Sequence, residues 1–233
     1  MKKLFALSLV CSALAACGGG GGDGPGAAPT PNGVWESSGG FSSAGGKILV
    51  VDNNDIYAVS IDVPNKVISM LGNTSFALTG NSFNGSGVTT TSPTPTYALF
   101  SFTGLFEEEK TLTITTDFGG QRFTSHSFFY APGNGRVMQL SAGYHSGVNF
   151  NGVIGSLTVK GDSTFTGNSG TCLFHGVLSQ PGVSYVRANV TFQGGDCLMG
   201  TDTLHGVVGV SPDNQAIFLL KSPDGRMWGA IYK

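Results

Sequence analysis

The side chains able to do chemistry are sparse in this chain: four cysteines, four histidines and 14 acidic residues among 233. Cys172-Leu-Phe-His175, with Cys197 and His205 further on, supplies two thiols and two imidazoles, the donor types of a zinc site. The spacing weakens that use. In an extended strand residues three apart point to opposite faces, so Cys172 and His175 cannot share an ion without a local bulge. The interval from Cys197 to His205 is also unlike the compact ligand pairs of structural zinc. Carboxylates cluster at Glu107-Glu108-Glu109, where the flanking pattern places a solvated loop tip. Like charges on an exposed turn do not build an acid–base pair, and no segment has the spacing of oxygen ligands that calcium needs.

Nucleophilic catalysis needs a hydroxyl or thiol with a base beside it. Gly161-Asp162-Ser163 is similar to the serine surroundings of trypsin-like proteases, yet Thr164-Phe165 follows where that resemblance requires two glycines. Neither His126 nor His145 stands in an Ala-Ala-His-Cys-like segment, so the string reads more simply as a hairpin turn. Gly85-Ser86-Gly87 lacks the strand-to-helix context of a nucleophile elbow. No catalytic residue, metal ligand or cofactor is assigned, and a noncatalytic protein is expected.

Lys2 and Lys3 precede the apolar run from Leu4 to Leu14, the pattern of a secretory signal peptide. The run is too short to span a bilayer, which takes about 20 apolar residues. It ends in Leu14-Ala15-Ala16-Cys17, which resembles the lipobox of bacterial lipoproteins. The resemblance implies removal of residues 1–16, a diacylglyceryl thioether on Cys17 and a further acyl chain on its amine. The membrane is then a partner through those chains, more than one being needed for stable anchoring. The rival reading is an ordinary signal peptide with Cys17 as a bystander. Gly18 in place of Asp after the cysteine is compatible with the outer membrane, the face being open. With Cys11 lost in the signal peptide and Cys17 acylated, Cys172 and Cys197 are left to form a disulfide in an oxidising compartment.

These residues must be carried by β-structure. Glycine is frequent, at 37 residues, only 11% of residues are charged, and 40% are hydrophobic, enough to bury a core. A net charge of -2 with scattered basic residues leaves no stripe for nucleic acid. The Gly18–Gly22 run and the Pro-rich stretch after it read as a disordered tether over residues 17–32. From Gly33 onward short alternating or wholly apolar runs recur every eight to twelve residues, with no convincing helical period. Strands are expected at Lys47–Val51, Ile56–Ser60, Val67–Leu71, Ser75–Leu78, Tyr97–Phe106, Thr111–Thr116 and Gln121–Tyr130. A second set is expected at Val137–Ser141, Ser156–Lys160, Thr171–Leu178, Ser184–Phe192, Thr203–Val210, Ala216–Lys221 and Met227–Tyr232.

The break Ala131-Pro-Gly-Asn-Gly135 divides the body into residues 33–131 and 136–233, expected to be two antiparallel β-barrel or β-sandwich units. One larger barrel-like body is the alternative. Segments 75–85 and 156–167 share a strand, a Gly-Asx-Ser turn and a returning strand, an echo of either duplication or convergent turn chemistry. Phe100, Phe102 and Phe106, with Phe123, Phe128 and Phe129, are expected mostly to face the core, or to line a barrel mouth for an apolar ligand. The layout is similar to that of surface lipoproteins such as factor H binding protein and the lobes of transferrin-binding protein B. It implies a binding or interaction role in the envelope, with a protein or an apolar ligand as partner. A periplasmic inhibitor, with Glu107–Lys110 as its reaching loop, and an envelope hydrolase are the other readings.

Overall fold

The computed structural model describes residues 29–36, 46–62, 67–92, 96–129, 140–179, 185–194, 197–210 and 216–233. Cys17, tether residues 17–28, the expected boundary 131–135 and residues 137–139 lie outside them. Alternating runs separated by Gly, Asn and Asp turns favour hairpins between neighbours, and every strand pairing in the described residues is antiparallel. The first meander comprises β1 (Gly33–Glu36), β2 (Gly46–Asp52), β3 (Asp55–Asp62), β4 (Val67–Thr79), β5 (Ser82–Ser92), β6 (Thr96–Glu107), β7 (Thr111–Phe118) and β8 (Gln121–Phe129). It closes into a barrel where Trp35 of β1 pairs with Phe129 of β8. The second comprises β9 (Gly143–Asn149), β10 (Ile154–Val159), β11 (Thr164–Ser169), β12 (Cys172–Ser179), β13 (Val186–Phe192), β14 (Thr203–Val210), β15 (Ala216–Lys221) and β16 (Met227–Tyr232). It closes at Val148 of β9 and Ile231 of β16. The described residues are thus all-β and form two eight-stranded closed barrels.

Several elements differ from the sequence expectation. The runs 67–71 and 75–78 belong to one 13-residue strand, β4, which crosses Gly72-Asn73 by a register shift between Asn73 and Ser75. The Asn73 side chain compensates for the interrupted ladder: Oδ1 accepts from the Ile56 amide at 2.8 Å, and Nδ2 donates to the Asn54 carbonyl at 2.7 Å. The strand expected over Val137–Ser141 is not formed at Leu140 and Ser141, and the strand that closes the second barrel is instead β9. The last residues assigned to the tether are held against the first barrel. Pro31 is buried and its carbonyl accepts from Trp35 Nε1 at 2.8 Å, while Asn32 Oδ1 accepts from the Asn53 amide. The Gly-Asx-Ser echo falls on β4–β5 in one barrel and β10–β11 in the other, different positions in the two meanders. The turns also differ, with positive φ at Gly80 in the first and at Ser163 in the second. Turn chemistry alone accounts for the likeness.

Each barrel packs its own interior. Trp35, Val51, Ile56, Phe83, Phe106 and Leu112 fill one end of the first. In the second, Phe174, Phe192 and Trp228 form a triangle with ring centroids 5.5–5.7 Å apart, beside Phe165, Phe218 and Tyr232. A further apolar cluster lies between the barrels, where Val50, Tyr57, Val59 and Met70 meet Val207, Ile217, Leu219 and Met227. All six residues of β15 are buried as a result: Ala216, Phe218 and Leu220 face their own barrel, Ile217 and Leu219 the other. Glycines set the approach of β4 and β16. A Cβ on Gly72 would lie 2.7 Å from Met227 Sδ, and one on Gly229 would lie 2.7 Å from Met70 Sδ. Each barrel therefore seats a methionine on a glycine of its partner.

Polar clamps flank this contact. Asp52 receives two bonds from Arg187, each 2.5 Å, and one from the Tyr185 hydroxyl at 2.9 Å. Lys221 Nζ donates to Asp55 Oδ1 at 2.6 Å and to Asn73 Oδ1 at 2.7 Å, and sits 5.4 Å from the Tyr57 ring centre. Ser92 Oγ donates to the Phe150 carbonyl. Burial, reinforced by the neighbouring carboxylates, pushes the phenols of Tyr57 and Tyr185 well above their usual range, so both remain neutral donors.

Candidate functional site: an apolar cavity in the first barrel

The inward positions of β5 are Phe83, Gly85 and Gly87, which face Gly104, Phe102 and Phe100 of β6. A Cβ on Gly85 or Gly87 would approach the facing ring to 2.5 Å, so the bare backbone admits the two phenylalanines. On the next two strands the inward residues beside these rings include small ones: Thr116 on β7, the cross-strand partner of Phe102, and Ser125 and Ser127 on β8. These small residues leave part of the barrel interior unfilled. The resulting cavity is about 260 Å³, and its walls include Leu49, Ile56, Leu71, Phe100, Phe102 and Ile114. Phe118 and Phe123, with ring centroids 6.1 Å apart, stand at its mouth, and Phe118 stacks against Phe100 at 5.4 Å.

The polar groups in this hollow are hydroxyls. Thr116 Oγ1 donates to the Phe123 carbonyl at 3.3 Å. Ser127 is 8% exposed, and among the described residues neither its hydroxyl nor that of Ser125 forms a hydrogen bond. No side-chain polar atom of the described residues is sealed off without a partner, so both hydroxyls open onto the cavity space. Among the described residues, no charged side chain lines the walls.

Two other depressions carry less. One of about 530 Å³ at the end of the second barrel is more open, and its Asn149 amide is already bonded to Ser169, Asn151 and Val153. The groove between Asp52, Asp55, Arg187 and His205 is occupied by the polar clamps described above.

The residues singled out from sequence are placed as follows. Cys172 and Cys197 are bonded to each other, tying the start of β12 to the segment before β14. Cys172 is buried and His175 exposed, on opposite faces of β12. His175 pairs with Gln193, His205 with Asn189, His126 with Thr113, and His145 with the Ser141 carbonyl. Asp162 bonds Thr164 within a tight turn, which holds its carboxyl below the usual range. Ser86 lies in the middle of β5, bonded to Ser75 and Thr74. Glu107 pairs with Lys110 across a compact turn.

The phenylalanine expectation needs correction. Phe100, Phe102 and Phe106 are buried, but Phe123 and Phe128 are 55% and 57% exposed. Consecutive Phe128 and Phe129 cannot face the same way in a strand. Phe129 turns in against Trp35, at 5.2 Å, while Phe128 faces out and Phe123 lies at the barrel end. The serines of the cavity went unnoticed in the sequence, although the alternation Phe123, Ser125, Ser127, Phe129 on β8 carries their signal. Compared with protein-family models, curated proteins and solved structures, the chain matches none of them.

Proposed function

We propose that the protein is an exported bacterial envelope lipoprotein, anchored through acyl chains on Cys17 and with a noncatalytic binding role. The anchoring half rests on Leu14-Ala15-Ala16-Cys17 behind the signal-like run. The Cys172–Cys197 bond supports it, since such bonds persist in the oxidising compartments outside the cytosol. Gly18 after the cysteine is compatible with the outer membrane.

The observation that carries the binding half is the apolar cavity of the first barrel, whose described lining is hydrocarbon and hydroxyl groups alone. It favours a small apolar ligand over a reaching inhibitory loop, because Glu107–Lys110 is a short turn flush with β6 and β7. Metabolic labelling with a fatty-acid probe tests the anchor: wild type takes up label and Cys17→Ala does not. Equal labelling of the two would overturn it. Protease treatment of intact cells then reports which side of the membrane the barrels occupy.

A further inference from the structure

We infer that the first barrel binds a neutral, mostly apolar molecule of one or two rings through a single hydroxyl or carbonyl group held by Ser127 and Ser125. This rests on the binding half of the proposed function and is independent of the anchor.

Size comes first. A dry apolar cavity of roughly 150 Å³ takes benzene, and pockets for drug-sized molecules start at about 300 Å³. The hollow of about 260 Å³ lies between, which suits a compact ligand and is short for a long acyl chain.

Polarity follows from the lining. Leu49, Ile56, Leu71, Phe100, Phe102 and Ile114 offer only hydrocarbon, so most of the ligand must be hydrocarbon too. Ser127 as a residue is more than nine-tenths buried, and its hydroxyl, which forms no hydrogen bond among the described residues, is left accessible to the cavity space. A hydroxyl can donate to a carbonyl or accept from another hydroxyl. With Ser125 two positions along the same face of β8, one polar group on the ligand can meet both. Among the described residues no lysine, arginine or histidine lines the walls, so a carboxylate would enter without a counter-charge from them, at a cost far above that of a neutral group.

Access is at the Phe118 and Phe123 end. Phe123 is 55% exposed although its position on β8 faces inward, so its ring is free to pack over an occupant. Aromatic rings at 5.4 and 6.1 Å spacing already continue from Phe100 through Phe118 to Phe123, and a ring-containing ligand extends that offset or edge-on packing.

The probes are 2-naphthol, naphthalene and 2-naphthoate, equal in ring size and different only in the polar group. They are titrated by equilibrium dialysis at neutral pH into the full chain carrying Cys17→Ala, which dispenses with detergents that would compete for the cavity. One molecule of 2-naphthol should bind per chain, roughly threefold to tenfold tighter than naphthalene, the worth of one hydrogen bond. 2-Naphthoate should bind more weakly than either. Ser127→Ala should weaken the preference for 2-naphthol, and the double variant Ser125→Ala with Ser127→Ala should abolish it and leave naphthalene binding unchanged.

Absence of saturable 2-naphthol binding, 2-naphthoate binding as tight as 2-naphthol, or a full preference surviving in the double variant Ser125→Ala with Ser127→Ala would each overturn the inference. Binding of naphthalene alone would refute the hydroxyl contact while sparing the broader binding role. Acylation of wild type is read separately.

Discussion

The clamp at Asp52 should respond asymmetrically to loss of its two charged partners. Arg187 grips the carboxylate with two bonds, yet its own side chain is 39% exposed, against 8% for Asp52. Removing the arginine therefore leaves a buried carboxylate with one remaining donor, the Tyr185 hydroxyl. Stranding a buried charge costs about 3–5 kcal/mol, and proximity to the groove puts Arg187→Ala near the lower end, about 3 kcal/mol. Removing the aspartate strands a guanidinium that can turn to water, and leaves the Tyr185 hydroxyl without its acceptor. Those losses are worth about 1.5–2 kcal/mol. The double variant should fall close to Asp52→Ala alone, since with the carboxylate gone the arginine has little left to hold. The assay is urea unfolding at neutral pH, comparing midpoints at constant slope. Asp52→Ala proving as damaging as Arg187→Ala, or neither moving the midpoint, would refute the reasoning.

Other expectations follow from the same geometry. Breaking the Cys172–Cys197 bond, which closes a separation of 25 residues, should lower stability by about 3.5 kcal/mol through loop entropy, read by thermal unfolding with and without reductant. Equal melting temperatures would contradict that. Gly229→Val places a Cβ 2.6 Å from the Phe150 ring and 2.7 Å from Met70 Sδ, so overpacking of about 1–3 kcal/mol should loosen the contact between barrels; an unchanged melting temperature would count against the methionine-on-glycine packing. Burial raises the Glu36 carboxyl above its ordinary value, so the folded state holds its proton longer and stability falls as pH rises through that region. Glu36→Gln should accordingly be more stable than wild type at neutral pH and indistinguishable from it below the ordinary glutamate range, as followed by melting temperature against pH.

Much of the fold is legible in the chain itself. Turn residues at Asp52–Asp55 and Gly161–Ser163, with alternating or apolar runs on either side, are enough to specify hairpins, because each is decided by neighbours in sequence. The Cys172–Cys197 pairing is legible too, on the expectation that the signal-like run and the lipobox resemblance set Cys11 and Cys17 aside. What alternation does not carry is the identity of whatever covers each face. Ala216-Ile-Phe-Leu-Leu-Lys221 announces a strand, and its unbroken apolar character even hints at burial on both sides. Only the packed molecule shows that Ile217 and Leu219 meet the other barrel.

Lys221 looks like a solvated strand end until Asp55 and Asn73, 166 and 148 residues away, close on its ammonium. The cavity belongs to the same class. Ser125 and Ser127 are unremarkable in a β-strand, and nothing in Gly85-Ser86-Gly87 announces the rings that its bare backbone admits. The meander sets the serines of β8 two strands from Phe100 and Phe102 of β6, and closure by the remaining strands encloses the volume that they line. Period-two patterning follows from local backbone geometry, whereas the space enclosed by a barrel depends on side chains from strands far apart in sequence, and those meet only in the tertiary structure.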